Sequence, residues 1–122
     1  MKVIIAGSRH MPLNLYPLIQ IAVEKSGFQI TEVVCGMARG ADQLGGKWAY
    51  ENKIPVKKFP ANWDEHGLKA GPIRNAEMGQ YADAAIIFIW DGSRGSADME
   101  RKMRALKKPC FTVYNGEIDY AF

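Results

Sequence analysis

The sequence predicts an α/β protein, a three-layer sandwich around a mainly parallel sheet of about five strands. Three observations predict it. Five short apolar runs recur along the 122 residues. Segments with apolar residues at helical spacing separate these runs. The most apolar run, Ala84–Trp90 (AAIIFIW), shows no polar alternation, as expected of a strand covered on both faces. Strands that alternate with helices imply parallel pairing. Right-handed crossovers then make the sandwich Rossmann-like.

Lys2–Ala6 (KVIIA) is the first strand and stops at Gly7. Leu13–Lys25 carries Leu15, Leu18, Ile19, Ala22 and Val23 at helical spacing, and Gly27 ends that helix. Thr31–Cys35 (TEVVC) is the second strand. In the second helix, Ala41–Asn52, the residues Ala41, Leu44, Gly45, Trp48 and Ala49 share a face. Pro55–Phe59 is a short third strand. A loop from Pro60 to Gly71 leads into a helix over roughly Ile73–Tyr81, and Ala84–Trp90 is the central strand. Ser96–Lys107 is the last full helix, with Met99, Met103 and Leu106 inward and Arg101, Lys102, Arg104 and Lys108 outward. Pro109–Tyr114 is the final strand. No linker, repeat or low-complexity stretch interrupts this order, so residues 1–122 read as a single domain.

Composition narrows the class. With 48% hydrophobic residues the chain can bury a core. No apolar run reaches the roughly 18 residues needed to span a bilayer, so no membrane partner is expected. The opening MKVIIAGSR has too short an apolar stretch for a signal peptide. Cys35 ends one strand and Cys110 begins another, so a parallel sheet puts them at opposite ends. Free thiols fit a reducing, cytoplasmic setting. The net charge of +3 favours anions but falls short of a concentrated DNA-binding face, so nucleic acid is not an expected partner.

In open α/β sheets ligands bind beyond the carboxyl ends of the strands, where the strand order reverses. Four loops occupy those ends. After strand one, Gly7-Ser8-Arg9-His10 offers a close backbone turn, a hydroxyl and a guanidinium fork suited to phosphate. A tight turn with a solvated Arg explains the same residues equally well. After strand two, Gly36-Met37-Ala38-Arg39-Gly40-Ala41-Asp42 opens a helix, where free N–H groups and the helix dipole favour an anion. Asp42 either complements that dipole or accepts a bond from a ribose hydroxyl.

After strand three, Trp63 in a polar loop either stacks on a base or covers the sheet edge. Arg74 and Asn75 follow in the first turn of a helix, where a cation opposes the dipole and a ligand phosphate would answer it. After the central strand, Asp91-Gly92-Ser93-Arg94-Gly95-Ser96 precedes a helix start and makes the strongest anion cradle of the four. There is no GxGxxG or GxxxxGK[ST] loop, no HExxH and no Cys/His cluster. No metal and no cofactor are therefore expected. His10 beside Arg9 either transfers protons or is a surface residue, and His66 reads as surface.

Gly7-Ser8-Arg9, Cys35 through Asp42, Ala70-Gly71-Pro72-Ile73-Arg74-Asn75-Ala76-Glu77-Met78 and Asp83 through Asp98 resemble the stand-alone SLOG domains of the YspA type. Those domains form a superfamily with the LOG phosphoribohydrolases and the DprA DNA-processing protein. The resemblance covers almost the whole chain and implies a Rossmann-like fold with a nucleotide-derived ligand. LOG enzymes cleave the N-glycosidic bond of a nucleoside monophosphate, using an Arg in PRNxxM and a Glu that closes PGGxGTxxE. The first stretch appears here as Pro72 through Met78, which carries Arg74 and Asn75 with one residue, Ile73, inserted before the Arg. The second runs from Asp91 to Met99. Gly92, Gly95 and Ser96 fall on the phosphate-holding positions, and Met99 falls on the glutamate. Methionine can neither stabilise an oxocarbenium-like centre nor activate water. For an enzyme, the resemblance leaves Arg74, Asp98 and Asp91 as catalytic candidates. Glu100 is a further carboxylate, beyond Asp98 on the helix.

Three functional expectations follow. The first is a sensor or sequestering module that binds a nucleotide-like small molecule. Its ligand residues are Gly7, Ser8, Arg9, Gly36, Arg39, Gly40, Asp42, Arg74, Asn75, Gly92, Ser93, Arg94, Gly95 and Ser96. The second is an N-glycosidic hydrolase or transferase acting on a nucleoside monophosphate. The third, a single-stranded DNA accessory protein, lacks an aromatic-interleaved basic groove. The apolar end Tyr120-Ala121-Phe122 points to a homo-oligomer.

Overall fold

A computed structural model describes residues 1–36, 40–90 and 93–114, together with the backbone of 117–119. The chain alternates as expected. Strand β1 (Lys2–Gly7) leads through a 3-10 turn at Leu13–Leu15 into α1 (Pro17–Ser26). Then follow β2 (Glu32–Cys35), α2 (Ala41–Glu51) and β3 (Val56–Lys58). A short helix α3 (Trp63–His66) and a 3-10 turn (Gly67–Lys69) precede α4 (Ala70–Tyr81). The remainder is β4 (Ala84–Ile89), α5 (Arg94–Ala105), β5 (Cys110–Tyr114) and β6 (Glu117–Asp119).

The sheet runs in the order β3-β2-β1-β4-β5-β6. Strands β1 to β5 are all parallel, and β6 pairs antiparallel to β5 at the edge. The sixth strand was not expected, although Asn115-Gly116 between the two strands is a hairpin signal. Alternation along the strands sorts two cores. Val3 and Ile5 of β1 with Ala84, Ile86 and Phe88 of β4 face Ile19 and Ala22 of α1 and Leu44, Trp48 and Ala49 of α2. Ile4, Ala6, Ala85, Ile87 and Ile89 face Met78 of α4 and Met99 and Met103 of α5. All six residues of β4 are buried, because helices cover both its faces. Cys35 and Cys110 are buried free thiols. Burial, first of all, pushes the Cys110 thiol up to about 11.

Three local expectations need correction. The stretch read as a loop from Pro60 to Gly71 is largely helical, because Asn62 caps α3 through its side chain and Pro72 sits where a helix tolerates it, inside the first turn of α4. Helix α4 therefore begins at Ala70 rather than near Ile73, and Arg74 and Asn75 lie in its second turn. Helix α5 begins at Arg94 rather than Ser96, which puts Gly95 and Ser96 inside its first turn. Tyr120-Ala121-Phe122, on which the homo-oligomer expectation rests, lie outside the described residues. No described helix is long and apolar enough to cross a membrane.

Lys108 ties the end of α4 to the start of β5. Its ammonium donates to the carbonyls of Gly79 (2.7 Å), Gln80 (3.1 Å) and Ala82 (2.7 Å). These are orphan acceptors at a helix C-terminus, where a cation also answers the dipole. Replacing it, as in Lys108→Met, should lower stability by about 1–2 kcal/mol, read as a lower urea midpoint at unchanged slope. An unchanged midpoint would show that water serves those carbonyls as well.

Candidate functional site

The strand order reverses between β1 and β4: the chain goes from β1 outward to β2 and β3, then returns to β4 on the other side. A crevice opens at such a reversal, beyond the carboxyl ends of the strands. A cleft of about 630 Å3 lies there. Its wall takes Gly7, Ser8, Arg9 and His10 from the loop after β1, and Trp90 and Ser93 from the loop after β4. Helix α4 contributes Gly71, Pro72, Arg74, Asn75 and Met78, and α5 contributes Arg94, Gly95, Ser96, Asp98, Met99 and Arg101. Asp42 of α2 and Trp63 of α3 complete it.

Backbone packing holds the loops in place. A Cβ at Gly7 would lie 2.1 Å from the Phe88 carbonyl oxygen, so only glycine lets β1 approach β4 this closely at its end. The next amide, Ser8 N–H, donates to that same oxygen at 2.8 Å. The Ser8 carbonyl then accepts from Ala41 N–H at 3.2 Å, at the start of α2. Gly40, at φ +68°, would drive a Cβ to 2.3 Å from the Ser8 carbonyl oxygen. Ser8 is fully buried, and its hydroxyl accepts from His10 N–H at 3.1 Å. Ser8 and Gly40 thus lock the first two loops together, while Arg9 and His10 stay exposed.

Gly36 and Gly40 do not line the cleft themselves. Gly36 leaves room for two side chains that do: an added Cβ would meet Arg74 Nη1 and Asp42 Oδ2, each at 2.9 Å. Arg74 Nη1 donates to the Gly36 carbonyl at 2.6 Å, and its Nε donates to Asn75 Oδ1 at 3.3 Å. The cation that sequence reasoning left in want of an anion is therefore partly answered by the protein. Asp42, 4% exposed, accepts from Gly7 N–H at 3.2 Å through Oδ1. It braces the first loop from the second helix.

Asn75 is buried and uses its whole amide. Besides accepting from Arg74, its Nδ2 donates to the Gly95 carbonyl at 3.1 Å and to Asp98 Oδ2 at 3.0 Å. It pins α4 to the first turn of α5. Asp98 also receives both short bonds of Lys102 Nζ, at 2.6 and 2.7 Å, and lies 3.7 Å from Arg101. Glu100 points elsewhere, accepting from Thr112 at 2.5 Å and from Tyr114. Met99 packs in the core at 1% exposure.

Among the described residues the start of α5 is open. Ser93 is its N-cap and no acidic residue occupies its first turn. The Ser96 hydroxyl donates to Ser93 Oγ at 3.0 Å, and a Cβ at Gly95 would meet nothing within 4 Å. The first-turn N–H groups of such a helix lack intrahelical partners. Among the described residues four arginines line the cleft, Arg9, Arg74, Arg94 and Arg101, against two carboxylates, Asp42 and Asp98. Both carboxylates are already engaged, so the wall is electropositive. Arg101, on the outward side of α5 as expected, also lines the cleft, as do Trp90 and Met78, which the loop motifs do not include. Arg101 falls one turn beyond Ala97 and close to Asp98, so its helical position was the available signal. Arg39, Asp91 and Gly92 lie outside the described residues.

Residues 1–66 match the family model of the YspA, cpYpsA-related SLOG proteins. The Gene 61 protein of Mycobacterium phage D29 is 30% identical to this chain, over 93% of the chain and 94% of that protein. Among solved structures, DNA processing protein A (DprA) from Streptococcus pneumoniae superposes with a TM-score of 0.73 at 15% identity. That match covers 92% of this chain and 50% of the DprA chain, so the chain spans about half its length and shares its fold. With a family match across more than half its residues and a relative aligned over nearly all of them, the chain belongs to the YspA, cpYpsA-related SLOG family.

Proposed function

We propose that the chain binds a nucleotide or nucleotide-derived small molecule in this cleft and serves as a sensor or sequestering module. The observation that carries the reading is the meeting of four arginines with the open first turn of α5 in one cleft. The amides of Arg94, Gly95 and Ser96 would take phosphate oxygens, a geometry the helix dipole favours. Arg9 and Arg94 are exposed and would supply charge. Gly92 and Arg39 belong to the same proposal through their place in the sequence. Arg74, Asn75, Asp42, Ser8, Gly36 and Gly40 would act mainly by holding the wall, given the bonds and close contacts they already make. A volume of about 630 Å3 suits a small ligand, for which roughly 300–1,000 Å3 is usual, better than a nucleic-acid strand.

Arg94→Ala tests the charge with little risk to the fold, because the residue is exposed. Loss of one charge-assisted phosphate bond should weaken AMP binding by roughly 1.5–3 kcal/mol, about tenfold or more. Unchanged affinity by calorimetry would remove Arg94 from the site.

Gly95→Ala separates binding from folding. A methyl group there meets no protein atom and should raise stability by up to about 1 kcal/mol, since glycine disfavours helix. It would also stand over the amides that are to hold phosphate. The expected result is a higher urea midpoint with weaker AMP binding in the same variant. Affinity that stays level would place the phosphate elsewhere.

Binding without hydrolysis is favoured by Met99 in the core and by Asp98 held between Lys102 and Asn75. Nucleoside monophosphates incubated with the protein should return intact. Release of free base, lost in Asp98→Asn, would instead support an N-glycosidase.

A further inference from the structure

We propose that Trp63 is the platform on which the ligand's aromatic base stacks, so that the cleft selects phosphates bearing a planar base over phosphates bearing sugar alone. The inference rests on the reading of the cleft as a phosphate site and adds the part of the ligand that confers identity.

The three tryptophans are placed differently. Trp48 is 5% exposed and donates its indole N–H to Gln20 Oε1 at 2.6 Å, joining α2 to α1. Trp90 is half-buried and packs on the core beneath the end of β4. Trp63 is 49% exposed while lining the cleft, and among the described residues its indole N–H has no hydrogen-bond partner. Core packing does not account for it, because no residue from Trp63 to Lys69 is buried.

Local polar bonds hold the residue at the rim instead. Asn62 Oδ1 accepts from Glu65 N–H and Asn62 Nδ2 donates to Glu65 Oε2, both at 3.1 Å. This reciprocal cap fixes the single turn that starts at Trp63. The far edge of the ring rests on the first turn of α4, where a Cβ at Gly71 would sit 3.7 Å from Cη2.

That position sets a spacing. Asn75 follows Gly71 by one turn of α4, about 6 Å of rise, and its side chain reaches the Gly95 carbonyl at 3.1 Å. Summed along this path the indole and the open turn of α5 are no more than roughly 15–20 Å apart, and the straight line between them is shorter. A nucleoside monophosphate spans a gap of that order, with its phosphate on α5 and its base against Trp63. A phosphosugar without a base would reach one end only. Stacking on an indole tolerates every base, since each has a π-face.

The experiment compares AMP, GMP, CMP and UMP with ribose 5-phosphate and inorganic phosphate by calorimetry, on the full chain and on Trp63→Ala, Trp63→Phe and Arg94→Ala. The wild-type chain should bind at least one nucleotide roughly tenfold or more tighter than ribose 5-phosphate. Trp63→Ala should bring that nucleotide to the level of ribose 5-phosphate without moving the latter. Trp63→Phe should keep most of the preference, because its ring still stacks. Equal binding of nucleotides and ribose 5-phosphate by the wild-type chain would overturn the platform while leaving an Arg94-dependent phosphate site standing. So would a Trp63→Ala variant, unchanged in urea midpoint, that loses both ligands equally. If no nucleotide, sugar phosphate or phosphate binds, the phosphate reading falls and the platform with it.

Discussion

The cleft depends on one close approach, that of Gly7 to the end of β4. Without a Cβ at Gly7, the backbone meets the Phe88 carbonyl and continues the β1–β4 pairing up to the point where the chain leaves the sheet. Ser8 then bonds the same carbonyl through its amide and offers its own carbonyl to Ala41. The loops after β1 and β2 are thereby held to each other and to the end of β4 by backbone contacts, which side-chain motion cannot loosen. Parallel pairing with a reversal at β1 and β4 creates the crevice, and this contact gives it fixed walls.

On those walls the polar residues divide by how far the protein has already satisfied them. Asp42, Asn75 and Asp98 are acceptors or donors for other protein groups, and each joins two elements that are distant in sequence. Arg74 is intermediate, with two bonds to the protein. Arg9 and Arg94 are exposed and line the cleft, Arg94 from the first turn of a helix that has no acidic residue there. A buried polar group left unpaired costs far more than one at a wet rim. It follows that the satisfied residues define the shape of the cleft and the exposed cations give its wall a positive charge.

The same division bears on chemistry. Met99, which the resemblance to LOG enzymes sets at their glutamate position, packs with Met78 and Met103 between α5 and the sheet. The neighbouring carboxylate, Asp98, is drawn to Lys102 and Asn75, and Glu100 is drawn to Thr112 and Tyr114. A general base must reach its proton with a free acceptor, and these two carboxylates direct theirs into the protein.

Much of the fold was legible in local pattern. Alternation of apolar runs with helical spacing marked β1, β2, β4 and β5 and their helices, because both periodicities are properties of neighbouring residues. Asn62 capping α3 and the early start of α4 escaped, since Gly, Pro and Asn punctuate loops and first turns alike. Glycine and arginine near strand ends were equally visible, and many of them meet in one cleft. What the residue order could not reveal is which of them stay exposed in the cleft and which hold its wall. Gly36 and Gly40 serve packing; Asp98 is paired with Lys102 and accepts from Asn75; Arg101 lines the cleft from α5. Those outcomes depend on contacts such as Gly36 to Arg74 and Asn75 to Gly95, made across long stretches of sequence. The sequence by itself determined the strands, the helices and the kinds of side chain at their ends. Tertiary structure alone decided the pairing of those side chains, because hydrogen bonding and burial act between groups brought together only when the sheet has formed.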